Sequence, residues 1–198
     1  MKYLFTILLC LGLMVTSVQA EPTWDETLDF IVKKINLHHF DGMLKMDCWE
    51  GEYNCDMPEP FKFSLEFKNN GLAIFIFRYG KSSSKRWLER KYVVENFGNM
   101  SISTNTSRYP KIIIKNPQNL KTISIYNSYR LEAKRRGYST PSETRTKLFF
   151  DDDKVIGFDF DIVFIEDNSM YRRITNALQH LQKLHKQRWP SEIKKEVF

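Results

Sequence analysis

The side chains with potential chemistry are four histidines, a run of carboxylates in the last third of the chain and three cysteines. His38-His39-Phe40-Asp41 is the densest set of possible metal ligands. Adjacent residues on a regular element point in different directions, so both imidazoles cannot face one ion without an irregular backbone, and the run reads as a polar helix end. His180 and His185 stand five apart, off the i, i+4 spacing that lets two imidazoles share zinc. They read as surface and core-edge residues. The acidic set is Asp151, Asp152, Asp153, Asp159, Asp161, Glu166 and Asp167. Alternation puts Asp159 and Asp161 on one strand face, close enough for a carboxylate pair, but the glycine and distant glutamate of a calcium-binding loop are missing. The triple aspartate reads as a hairpin turn that also protects a strand end from pairing with other chains. No serine sits in Gly-x-Ser-x-Gly and no glycine-rich phosphate loop is present, so a nucleophilic hydrolase has no support in the sequence; neither cofactor nor metal is expected.

Two basic stretches remain as candidate contact surfaces. One holds Lys81, Lys85, Arg86, Arg90 and Lys91 around Trp87; the other holds Arg130, Lys134, Arg135 and Arg136 between Tyr129 and Tyr138. Beside an anionic bilayer each cation contributes about 1 kcal/mol, with the aromatic rings at headgroup level. Otherwise both stretches are solvated loops.

Export sets the context. Lys2, an apolar run from Leu4 to Val15 and the small-residue end Val18-Gln19-Ala20 have the layout of a secretory leader cleaved after Ala20. An apolar core of about twelve residues is too short to span a bilayer as a helix. The expected protein is therefore residues 21–198, periplasmic or extracellular, roughly 180 residues in one domain. Lys2 is the only charged residue before Glu21, so this form carries one positive charge fewer than the +6 of the whole chain. A basic exported protein meets anionic surfaces such as lipid headgroups or acidic proteins; export argues against nucleic acid. Cys10 leaves with the leader, and Cys48 and Cys55 are expected to form a disulfide. Closing that short loop is worth on the order of 2.5 kcal/mol in the chain-entropy model. Asn99-Met100-Ser101 and Asn105-Thr106-Ser107 match the glycosylation acceptor pattern used by eukaryotic secretory routes.

The elements that must position these residues are strands between two helices. Thr23 and Glu26 form a capping box, and Trp24, Leu28, Ile31 and Ile35 share one face of a helix ending between Asn36 and His39. At the other end Ile174, Ala177, Leu178, Leu181 and Leu184 form the apolar stripe of a helix from Ser169 to Gln187, with Asp167, Asn168 and Ser169 as N-cap candidates and Pro190 beyond it. Phe61, Phe63, Leu65 and Phe67 alternate with polar residues, and Asn69-Asn70-Gly71 turns the chain into Leu72–Tyr79, a strand apolar on both faces that calls for a helical cover. Further strands are expected over 42–49, 87–97, 100–104, 111–115, 120–126, 144–150 and 155–165. Ser128–Pro141 fits either a short helix over Tyr129–Arg136 or an irregular basic excursion.

Hairpin spacing without crossovers predicts α+β: one strongly bent antiparallel sheet or small barrel of seven or eight strands, with an N-terminal helix and a C-terminal capping helix. That order of elements resembles the pleckstrin-homology-like barrels. The resemblance is architectural and rests on no motif, and it implies lipid-headgroup or peptide binding or no ligand at all. Three functional readings follow: a non-enzymatic binding or structural module meeting its partner through the basic stretches; a hydrolase or metal-dependent enzyme using Asp159 and Asp161 with His38 or His39; and a barrel holding an apolar ligand among Phe61, Phe63, Phe75 and Phe77.

Overall fold

The computed structural model describes residues 20–38, 46–48, 52–55, 61–81, 87–105, 110–132, 144–147, 153–161 and 169–190. The side chains of 38, 46–48, 52–55, 129–132, 144–147, 153 and 161 fall outside that description. Helix α1 spans Trp24–His38. Its start is fixed by the expected reciprocal cap: the Thr23 amide donates to Glu26 Oε2 at 2.8 Å, and the Glu26 amide donates to Thr23 Oγ1 at 3.4 Å. Those bonds from Thr23 hold the Glu26 carboxyl below its ordinary range. Helix α2 spans Met170–Arg188, and Ser169 caps it without a side-chain hydrogen bond. Ile31 and Ile35 of α1 and Ile174, Leu178 and Leu181 of α2 are fully buried, while Arg172, Arg173, Lys183, Lys186 and Arg188 stay exposed.

All strand pairings are antiparallel, in three groups. The smallest pairs β1 (Met46–Cys48) with β2 (Glu52–Cys55). The largest orders β3 (Phe61–Phe67), β4 (Ala73–Tyr79), β5 (Trp87–Val94), β8 (Ile123–Glu132) and β10 (Asp153–Val155) side by side, with β9 (Thr144–Lys147) also on β8. The third orders β6 (Ser101–Asn105), β7 (Lys111–Lys115) and β11 (Gly157–Asp161). Gly71, with φ 85°, makes the tight β3–β4 turn. A 310 turn, Phe97–Asn99, enters β6.

The run from Asp153 to Asp161 joins the two larger sheets. Its first part pairs with β8 and its second with β7, with the change at Ile156. Gly157 makes the switch possible: a Cβ there would lie 2.5 Å from the Lys115 Cβ and 2.8 Å from the Ile114 carbonyl, so only glycine admits this approach. The buried Asn116 pins the corner. Its amide donates to the Ile156 carbonyl at 2.7 Å, and its side chain reaches Thr122 Oγ1 and the Gln118 amide.

The expected barrel is not closed. Strand order runs β3-β4-β5-β8, passes through the switching run to β7 and ends at β6; β6 does not pair with β3. Instead α1 packs on β3, α2 packs on β6 and the 310 turn, and the helices pack on each other. The helix pair thus fills the place of the missing strand pairing. Asn36 of α1 acts as a strand mimic at the free edge of β3: its Oδ1 accepts from the Phe63 amide at 2.7 Å and its Nδ2 donates to the Phe63 carbonyl at 2.9 Å. On the opposite edge Gln179 of α2 donates to the Ile102 carbonyl at 3.0 Å, and Gln182 donates to the carbonyls of Phe97 and Met100 at 2.7 and 2.8 Å.

Several expectations change. The helices bed on edges, so the helical cover expected for the second face of β4, where Ile74 and Ile76 are buried, is not their principal contact. Residues 128–132 continue β8, which excludes the short helix at its first turn: their backbone pairs with β5 and β9, and sheet pairing overrides the local pattern. The expected strand over 87–97 stops at Val94, and that over 155–165 divides at Ile156. No Cys48–Cys55 disulfide is found among the described residues. The β1–β2 register sets Met46 opposite Cys55 and Cys48 opposite Glu52.

Replacing Asn36 with alanine leaves the Phe63 amide and carbonyl without partners at a half-buried edge. We expect Asn36→Ala to lower unfolding free energy by about 1–3 kcal/mol, measured as a shift of the urea midpoint at unchanged slope; a shift within error would show that the edge amides are dispensable.

Candidate functional site

In an antiparallel sheet, paired residues project to the same face. The rows Phe63–Phe77–Arg90–Asn127 and Leu65–Phe75–Tyr92–Ile125 therefore lie on the inner face of the larger sheet, and Tyr79 pairs with Leu88 beside them. Aromatic rings fill the space facing the smaller sheet. Phe160 of β11 lies 5.5 Å from the Phe77 ring and 6.5 Å from Phe63, Phe158 lies 5.2 Å from Phe75, and Phe158 stacks on Tyr92 at 4.0 Å. These rings occupy the room that an apolar ligand between the sheets would need.

Arg90 is the exception on this face. Among the inward positions of β3, β4 and β5 it is the one charged residue, between Leu88 and Tyr92, both buried. Its own side chain is half-buried, and its Nε donates to Asn127 Oδ1 at 2.7 Å. Among the described residues no carboxylate pairs with it.

On the outer face two cations share one carboxylate. Arg78 Nε donates to Glu89, and Lys91 Nζ lies 3.0 Å from Glu89 Oε1. Burial raises the Glu89 carboxyl, but the hydrogen bonds from Arg78 and Lys91 outweigh it and hold the group below the ordinary carboxylate value.

The register also places the expected basic stretches. Tyr79 opposes Leu88, and Trp87 opposes Arg130, so the segment joining β4 to β5 and the segment following β8 leave the same end of the sheet on neighbouring strands. Lys81 is exposed there, Trp87 is half-buried on the outer face, and Arg90 lies one row in from Leu88 on the inner face. Lys85, Arg86, Lys134, Arg135 and Arg136 lie outside the described residues.

The other sites do not assemble among the described residues. Asp159 is exposed on the side of β11 opposite Phe158 and Phe160, with Lys111 Nζ 3.4 Å from its Oδ2. Asp161 and His38 are described by backbone alone, and His39, Asp151 and Asp152 lie outside the description. Among the described residues no group of three His, Cys, Asp or Glu side chains converges to hold a metal. His185, one of the pair expected at the surface and the core edge, is buried: its Nε2 is 2.6 Å from the Gly71 carbonyl, and its ring meets Phe67, Phe97 and Trp189. A carbonyl only accepts, so Nε2 carries the hydrogen. Trp189 Nε1 donates to the Asn69 carbonyl at 2.9 Å, so the end of α2 grips the β3–β4 turn from both sides. His185 is a structural residue, and its spacing said so: it stands four beyond Leu181 and seven beyond Leu178, on the stripe.

The fold is an open, bent antiparallel α+β structure. No family model matches the chain, and neither a curated protein nor a solved structure matches it.

Glu89 carries a pH signature. Its folded-state value is depressed, so its ion pairs stabilise the fold above 4.5, the ordinary value, and are lost as pH falls through the depressed one. We expect the stability gap between the wild type and Glu89→Gln to narrow from neutrality to below that value in urea titrations; a constant gap would remove the ion pairs as its cause.

Proposed function

We propose that the chain is an exported, non-catalytic binding module that meets an anionic partner with the end of the larger sheet from which both basic segments leave. The observation that carries this reading is the register of β4, β5 and β8, which gathers Lys81, Trp87 and Arg90 at the end where the chain runs on into Lys85, Arg86 and, beyond β8, Lys134, Arg135 and Arg136. Cations at one end of a rigid sheet sum their field, whereas the same charges scattered would be screened separately. On the outer face of β4 and β5 Arg78 and Lys91 share Glu89, which offsets one of their two charges. A pleckstrin-homology-like relation belongs to the same proposal. Its support is the sheet's bend at Ile156 and the seating of α2 on β6.

Binding to vesicles containing phosphatidylserine, or to immobilised polyglutamate, should weaken steeply between roughly 50 and 300 mM salt. A Lys81→Glu, Arg86→Glu, Arg135→Glu triple variant should lose it at the lower salt while melting like the wild type. Wild-type indifference to both probes would sink the proposal.

Export rests on the leader. Glu21, the first residue after the proposed cut, is held on α2: Lys183 Nζ reaches its carboxylate oxygens at 2.9 and 3.0 Å, and His180 Nε2 donates to the Pro22 carbonyl at 2.8 Å. Among the described residues no helix is long and apolar enough to cross a membrane. The intact mass of the secreted chain should begin at Glu21, and thiol labelling should find Cys48 and Cys55 bridged. A retained leader defeats export; free thiols defeat only the bridge.

A further inference from the structure

We infer that the end of the larger sheet opposite the basic segments rests on the surface of a lipid bilayer; this goes beyond the anionic-partner reading above and does not depend on it. That end is the row Phe67–Ala73–Val94–Ile123. Past it lie the β3–β4 turn, Glu95, whose amide donates to the Thr122 carbonyl at 3.1 Å, and the turn that enters β8. Among the described residues three large apolar side chains are exposed, and two of them stand here: Leu120 is 52 % exposed and Ile156 42 %. Scattered singly, such side chains need no explanation. Two on one corner, with Pro117 exposed in the same turn, make an apolar tip.

The corner holds that tip still. Asn116 bonds to every part of it: its amide donates to the Ile156 carbonyl at 2.7 Å, its carbonyl accepts from the Asn119 amide at 3.1 Å, its Oδ1 accepts from the Gln118 amide at 2.9 Å and its Nδ2 donates to Thr122 Oγ1 at 3.1 Å. Asn119 takes the left-handed conformation, φ 57°, that closes the turn. Leu120 is thus fixed inside a loop tied at 116, 119 and 122, and Ile156 is tied to the same asparagine. Lys115 and Lys121 are exposed on the two arms of the turn, and Lys154 nearby reaches Glu95 at 3.3 Å. A tip ordered in advance loses little freedom when it is immersed.

Three strand spacings away at the same end, about 15 Å, the close of α2 presents rings and cations beside β3. Trp189 Nε1 donates to the Asn69 carbonyl of the β3–β4 turn, Trp24 lies edge-on to Trp189 at 5.5 Å, and the Arg188 guanidinium sits over both indoles at 5.3 and 5.1 Å. Both indoles are half-buried, while Arg188 and Lys68 are exposed. Tryptophan with arginine and lysine is the composition of a membrane–water boundary, where the rings lie among headgroups and the cations meet phosphate. Shape favours a bilayer over a protein. Polar turn residues, Asn69 and Asn70 on one side and Gln118 and Asn119 on the other, separate the apolar parts, so the continuous dry patch of a protein interface is missing. A fluid surface closes round separate tips. A sheet resting on this end carries the basic segments about 20 Å above the headgroups, the length of β4.

The test uses the full secreted chain and co-sedimentation with vesicles of phosphatidylcholine alone in about 300 mM salt, conditions that give the basic end no anionic surface and screen its field. Lipid is raised until the wild type partitions. Leu120→Gln combined with Ile156→Gln should melt like the wild type and lower the partition coefficient roughly tenfold or more. Leu120→Trp should raise it severalfold, a gain that loss of structure cannot give. The triple charge-reversal variant should partition like the wild type here, and polyglutamate binding, which reads the basic end alone, should be unchanged in Leu120→Gln with Ile156→Gln. Either reading can therefore fail without the other. A wild type that stays in solution at every lipid concentration overturns the bilayer contact, as does equal partition of the wild type, the paired glutamine substitutions and Leu120→Trp. If instead the wild type self-associates in sedimentation velocity and the paired substitutions abolish it, the corner is a contact between copies and the bilayer contact falls.

Discussion

An antiparallel sheet that bends without closing leaves two rows of unpaired N–H and C=O groups facing each other across a gap. In water those rows invite other chains, and buried they cost about 1–3 kcal/mol for each group left without a partner. In this protein the gap between β3 and β6 is the constraint on which the rest depends. It is filled by two helices that present amide side chains to both edges. Asn36 offers both an acceptor and a donor to Phe63, as a neighbouring strand would, and Gln179 and Gln182 donate to three carbonyls on the other side. Once the amides have fixed the helices, the stripes containing Ile31, Ile35, Ile174, Leu178 and Leu181 complete the core. Leucine at those three polar positions would bury as much area and leave the edges unmet.

The aromatic core is the second consequence. A closed barrel of this strand number can enclose a ligand, whereas two sheets sharing one run of chain are held at a distance set by that run. Gly157 and Asn116 bring β11 against β7 at the corner, and Phe158 and Phe160 then reach the rings of β3, β4 and β5. The interior is consumed by the packing that stabilises it.

Much of this was legible in the sequence. The capping box at Thr23 and Glu26, the alternation of Phe61 to Phe67, the Asn-Gly turn and the stripe of α2 are local rules, and each appears at its expected residues. What local rules cannot express is partner choice. Phe158 and Phe160 alternate as expected, but the core-facing parity shifts at the sheet change, from Val155 on β10 to Phe158 on β11 with Ile156 exposed between them, and period two reports a face and not a neighbour. The β8 extension through 128–132 was hidden for the same reason: its support comes from β5 and β9. Arg90 was grouped with a basic loop by composition, although it alternates with Leu88, Tyr92 and Val94, and Asn127 likewise continues Ile123 and Ile125. The signal was present in both, as a polar residue in an apolar period.

Charge compensation separates these roles. Besides the partly buried Glu89 with Arg78 and Lys91, these pairs lie at the surface: Lys111 with Asp159, Lys154 with Glu95 and Lys183 with Glu21. Such exposed pairs are worth little to stability, since water solvates each partner nearly as well. Their effect is on the field, because each pair cancels at distances beyond a few ångströms and leaves the body of the protein locally neutral. A net surplus of +6 must then reside in cations without such partners. Arg90 is one of them, and unlike a surface lysine it cannot swing into solvent, because Asn127 holds its Nε and buried Leu88 and Tyr92 flank it along the strand. A cation held in place on a sheet keeps its field directed, whereas a mobile surface lysine averages its own over many positions, so position on the sheet as well as total charge shapes the field of the protein.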